Sequence, residues 1–111
     1  MAKHKIAVIP GDGIGNEVMP EGMRVMEAAG KKFGIEFEWD EYDWSCERYA
    51  NKGAMMPEDG LKQIEKHDAV YLGAVGFPGV PDHVSLWGLL IPIRREFRQY
   101  VSLRPVKLID G

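Results

Sequence analysis

Lys5-Ile6-Ala7-Val8-Ile9-Pro10-Gly11-Asp12-Gly13-Ile14-Gly15 is the stretch that decides the fold class. Its first half is short, apolar and β-branched, as in a strand buried on both faces. Its second half sets three glycines among Asp12 and Ile14, which breaks the strand into a turn. Beyond the turn, Val18, Gly22, Val25, Met26 and Ala29 recur at helical spacing, with Glu17, Glu21, Arg24 and Glu27 on the other side, so the reading is an amphipathic helix over Asn16–Ala29. Pro20 fits such a helix near its first turn. Gly30 is the expected left-handed C-cap, with Lys31 and Lys32 at the negative end of the dipole.

Working outward, Ile35–Tyr42 alternates Ile35, Phe37 and Trp39 against Glu36, Glu38 and Asp40, the period of a strand near a sheet edge with one wet face. Trp44–Lys52 reads as a short helix. Pro57-Glu58-Asp59 starts another that carries Leu61 and Ile64. Asp68–Ala74 is a second buried strand, running into a loop rich in glycine and proline from Gly73 to Asp82. From Val84 the positions Leu86, Leu90, Ile93, Phe97 and Tyr100 predict a helix that Pro92 starts or kinks, and Val101–Leu108 predicts a last strand. This order argues for an α/β fold, a largely parallel sheet layered with helices. Residues 1–111 are expected to form a single α/β unit, incomplete at the C-terminus, because no helix follows the last strand to cover it.

The composition bounds the function classes. With 45% hydrophobic and 28% charged residues in 111, the chain suits one soluble core, not a disordered, collagenous or coiled-coil protein. Size scaling gives a folded surface of about 6,200 Å². The longest uncharged run, Ala69–Pro81, is too short to span a membrane, and Met1–Lys5 opens no signal peptide, so a cytoplasmic location is expected. A net charge of −3 without a basic cluster leaves no footprint for nucleic acid. Cys46 is alone in the sequence and has no histidine beside it to activate it.

Two glycine-rich turns follow the two buried strands, which in a parallel sheet puts both at one edge, where α/β folds collect ligands. The dinucleotide fingerprint G-x-G-x-x-G is not met, since Asn16 stands where its third glycine belongs. The pattern alone fits a tight turn as well as a ligand cradle. Arg94, Arg95, Arg98 and Arg104 lie close together in sequence. Arg95 and Arg98 read as a solvated helix face. Arg94 borders the apolar stripe, and Arg104 falls inside an otherwise apolar strand (Val101, Leu103, Val106), where a buried guanidinium needs an anionic partner. Two such arginines make a carboxylate clamp. His4, His67 and His83 read as surface residues, Asp40, Glu41 and Asp43 as a solvated strand end, and no spacing marks a metal site.

Read together, Ile9–Val18, Leu72-Gly73-Ala74-Val75-Gly76, Leu89–Arg94 and Leu103-Arg104-Pro105 resemble the metal-dependent β-decarboxylating dehydrogenases, the isopropylmalate and isocitrate dehydrogenase family. The resemblance is collinear over the whole chain. The run Val80–Gly88 and Arg94–Phe97 are more similar to the branch acting on tartrate and D-malate. It implies oxidation of a small-molecule 2-hydroxy dicarboxylate with NAD, sometimes with loss of CO₂, in a homodimer that also uses Mg²⁺ or Mn²⁺. It implies substrate carboxylate binding by Arg94 and Arg104, contact with the substrate's distal group near Trp87, adenine contact at Ile14, and approach of Gly73, Ala74, Val75 and Gly76 to the nicotinamide and its ribose. Ser102, where most members have Asn, and Arg98, where the nearer branch has an acid, depart from the pattern. Members are considerably longer, and the family's catalytic Tyr and Lys and its metal-binding aspartates match nothing in these 111 residues. The residue pattern also fits an autonomous α/β module that holds an anion or nucleotide without chemistry.

Overall fold

The computed structural model describes residues 2–111, and its sheet has three strands. In chain order the elements are β1 (Ala2–Gly11), α1 (Gly15–Phe33), β2 (Ile35–Glu41), α2 (Cys46–Lys52), α3 (Gly60–Glu65), β3 (Ala69–Ala74), α4 (Asp82–Ser85), a π-helical turn over Leu86–Leu90, and α5 (Ile91–Glu96). All pairing is parallel in the order β2-β1-β3, with Ala2 opposite Ile35 and Ile6 opposite Ala69. The α/β class and the parallel sheet agree with the sequence reading.

β1 is the centre of the sheet, and its Ile6–Ile9 run is buried on both faces, which is why that run is continuously apolar instead of alternating. Ile6 and Val8 face α1 and pack with Met19, Met23, Phe37, Trp39 and Tyr71. Ala7 and Ile9 face the opposite layer, built from Trp44, Cys46, Met55, Ile64, Leu89 and Ile93. The result is three layers with α1 alone on one side.

Several expectations are corrected. α1 passes through Gly30 and ends at Gly34, which holds the left-handed cap at φ 71. Gly30 is buried instead, where a side chain would meet the Ile35 carbonyl at 2.6 Å. Pro20 lies inside α1, beyond its first turn. The face α1 buries is Met19, Gly22, Met23, Met26 and Gly30, while Val18 and Val25 are exposed. Long methionines one position on from the valines reach the sheet, so the stripe is rotated by about one residue. The helix expected from Val84 starts at Asp82 and widens before Pro92, whose missing N–H removes a bond from the ladder; the Ile91 amide donates to Leu86 five residues back. That extra residue per turn puts Leu89, not Leu86, into the core. No strand forms over Val101–Leu108: the segment has no regular secondary structure and is exposed, because no neighbouring strand offers it a ladder. The His67 side chain is 5% exposed and bonds Asp40 Oδ2 at 2.7 Å, so neither is a free surface group. Among the described residues, no helix is long and apolar enough to cross a membrane.

Candidate functional site

Because the strands are parallel, the turns after β1, β2 and β3 meet at one edge. Gly11, at φ 82, lets the first turn lie directly on the third: a side chain there would overlap the Ala74 carbonyl. Gly15 and Gly73 are likewise closed by the Pro10 carbonyl. These three glycines serve contact between backbones. Gly13 and Gly76 face open space and are the positions at which a ligand has access to the main chain.

Between the turns sits Asp12, 2% exposed. Its amide donates to the Ala74 carbonyl at 2.6 Å. Its carboxylate accepts from the amides of Cys46 and Gly76 on Oδ2, at 3.0 and 3.1 Å, and from Glu47 on Oδ1 at 3.0 Å. No cation pairs with it among the described residues; amide dipoles and the start of α2 offset the buried charge. The sequence reading passed over Asp12. The available signal was a carboxylate set among glycines, in a turn whose amides need an acceptor.

Cys46 is 1% exposed beside this carboxylate. Burial first, then the Asp12 charge, pushes its thiol up to about 11, so it stays a thiol at neutral pH. Burial and Asp40 also raise the Tyr42 phenol. Beside the first turn a cleft of about 490 Å³ opens, lined by Gly11, Asn16, Glu41, Arg48, Asn51 and Lys52 among others. Arg48 and Lys52 both lean on Asp43, at 3.3 and 3.9 Å, and the Arg48 Nε is buried without a hydrogen-bond partner.

The structure brings some of the expected site residues together and leaves others exposed at the surface. Gly73, Ala74, Val75 and Gly76 lie against the first turn, and Ile14 stands 62% exposed at the start of α1. Trp87, in the π-helical turn, is 60% exposed and so is not a core residue. Arg94 is exposed in the last turn of α5, beside a hollow of about 110 Å³ lined by Val70, Leu72, Leu90, Ile93 and Gln99. Arg104 lies in the exposed segment after α5 and not in a buried strand. No hydrogen bond or ion pair among the described residues ties it to the rest of the fold. Among the described residues neither guanidinium has an ion-pair partner. Among the described residues, no group of three or more His, Cys, Asp or Glu side chains is placed to hold a metal ion.

Comparison with known proteins agrees with this architecture. The chain is 54% identical over 113 residues to D-malate dehydrogenase [decarboxylating] of Escherichia coli (strain K12), an alignment covering 100% of this chain and 31% of that protein. It is 56% identical over 109 residues to tartrate dehydrogenase/decarboxylase of Pseudomonas putida, covering 96% and 30%. The crystal structure of a β-decarboxylating dehydrogenase from Thermococcus kodakarensis in its apo form superposes with a TM-score of 0.60 at 32% identity, over 86% of this chain and 27% of that one. The chain thus spans under a third of the length of these relatives. With the sequence profile of the isocitrate/isopropylmalate dehydrogenases matching residues 5–111, on a parallel α/β fold whose glycine turns meet at one edge, the chain belongs to that family.

Proposed function

We propose that this chain is the first part of an oxidoreductase that oxidises a 2-hydroxy dicarboxylate of the tartrate or D-malate type with NAD, with loss of CO₂ where the product is a β-keto acid. The observation that carries the reading is the meeting of two glycine turns at the carboxyl ends of β1 and β3, joined through Asp12, with Gly13 and Gly76 open to a ligand. The relatives named above support the substrate class. In this reading the exposed Ile14 offers an apolar surface to adenine, and Gly73, Ala74, Val75 and Gly76 lie along the nicotinamide and its ribose. Bound NAD supplies the hydride acceptor. Arg94 and Arg104 take the substrate carboxylates, which requires Arg104 to be brought in by parts of the enzyme outside these residues. Trp87 limits the volume beside the substrate's distal group. Holding the hydroxyl carbon against the cofactor in this way makes the transfer effectively unimolecular. Among the described residues no set of side chains fits a resident Mg²⁺ or Mn²⁺, and no acid or base is assigned among them. The whole enzyme is proposed to work as a homodimer.

The test is NADH formation by the full-length protein that carries this segment, given NAD, Mn²⁺ or Mg²⁺, and D-malate, tartrate, isocitrate or 3-isopropylmalate in turn. Turnover with D-malate or tartrate in excess of the other two is expected. Turnover confined to isocitrate or 3-isopropylmalate overturns the substrate class, and tight NADH binding with no turnover of any acid favours the non-catalytic module.

A further inference from the structure

We infer that Asp12 is a positioning residue for the cofactor, setting the height of the Gly73–Gly76 turn at the sheet edge. The inference rests on the dehydrogenase reading above and adds a role to a residue that touches neither proposed ligand. Gly76 has nothing packed within 4 Å of where a side chain would start, and Phe77 beyond it is 44% exposed. Side-chain packing reaches this turn only as far as Val75, which lies against the core, and does not locate Gly76. Two bonds from one residue do: the Asp12 amide holds the Ala74 carbonyl and Asp12 Oδ2 holds the Gly76 amide. The same oxygen accepts from Cys46, and its twin accepts from Glu47, so the turn and the start of α2 are fixed to one carboxylate. Asp12 is nine-tenths buried and more, which keeps water from substituting for those bonds.

Asparagine is nearly isosteric but has one acceptor oxygen. Whichever way its amide turns, either Glu47 or the Cys46 and Gly76 pair meets an NH₂ group instead of an acceptor. A buried donor left unpaired is costly, and the turn is the freer of the two partners to move.

The experiment compares the full-length enzyme with its Asp12→Asn and Glu21→Gln variants. It reads NADH Kd by fluorescence titration, KM for NAD and for D-malate, kcat, and hydrogen–deuterium exchange of peptides spanning 46–52 and 73–79. Expected for Asp12→Asn are a rise of about fivefold or more in NADH Kd and in KM for NAD, and faster exchange in both peptides. kcat and the KM for D-malate should stay within about twofold, the scale expected of a change that acts only through cofactor binding. Glu21→Gln, which removes an exposed charge on α1, leaves all of these unchanged. A lowered melting temperature with unchanged NAD affinity, or an equal loss in kcat, overturns the proposal. Should Asp12→Asn fail to fold, the wild-type enzyme still decides: NADH must slow exchange in both peptides together, and protection of 73–79 alone or of neither overturns it. If the wild-type protein binds no NADH, the dehydrogenase reading itself fails, a result distinct from a working enzyme indifferent to Asp12→Asn.

Discussion

Arg98 sits at φ 52, the one non-glycine residue in the left-handed region among those described. Its amide donates to Arg95 and the Gln99 amide to Arg94, the paired bonds that close a helix in a Schellman motif, at the position where glycine is preferred. Arg98→Gly is expected to stabilise the fold by about 0.5–1 kcal/mol, read as a higher melting temperature, since relief of the Cβ clash exceeds the entropy glycine adds to the unfolded chain. Cys46 gives a pH signature. Its folded thiol titrates at about 11 against 9.0 for an ordinary cysteine. As pH rises from 9 towards 11 the unfolded chain loses that proton and the folded one keeps it, so the stability contribution present below pH 9 is lost across that window. The native thiol should therefore resist disulfide reagents at pH 8 and react once guanidinium unfolds the chain, as a colorimetric thiol assay would show. The arginines separate by role. In the full-length enzyme Arg94→Met or Arg104→Met should each cost about 3–5 kcal/mol in kcat/KM if each pairs a buried carboxylate, and Arg95→Met under about 1 kcal/mol. A crippled Arg95→Met beside a normal Arg94→Met would reverse the assignment.

Between elements, α1 approaches the sheet at two glycines whose neighbours differ in kind. A side chain at Gly22 would overlap the Tyr71 hydroxyl, the tip of a ring, whereas one at Gly30 would strike the Ile35 backbone. Gly22→Ala should cost about 1–2 kcal/mol in denaturant melts, part of it recovered in a Tyr71→Phe background, while Gly30→Ala should cost more and find no such rescue. These approaches also show what a sequence carries. β1, the alternation of β2 and the placing of both glycine turns at one edge were legible, since each follows from a local period and from parallel topology. The phase of α1 was misread because valine and methionine at adjacent positions are equally apolar, and only reach decides which one packs. Asp12 stands in a legible setting, a carboxylate among glycines, but its partners were not legible, since Cys46 and Gly76 lie 34 and 64 residues away. His67 was misread for the same reason, its partner Asp40 being 27 residues back. The expected strand over Val101–Leu108 is apolar enough for one, yet a strand exists only with a partner to complete its ladder.

At the scale of the molecule the described chain exposes 8219 Å², well above the roughly 6,200 Å² that its mass implies for a compact domain. Much of the excess is apolar and lies after α5: Tyr100, Leu103, Val106 and Leu108 are each more than four-fifths exposed. The isolated 111-residue chain should therefore self-associate at micromolar concentration in sedimentation velocity and form no NADH from D-malate or tartrate; a monodisperse, active monomer would contradict both expectations. The burial of the three tryptophans also has an optical consequence. Trp44 is sealed in the core at 2% exposure against Tyr42, Trp39 is half-buried with its indole N–H bonded to Glu27, and Trp87 is 60% open to water. Their emission should accordingly separate from blue to red in that order. Acrylamide would quench the red component first, so the open indole of Trp87 reports any ligand that covers it without an added label.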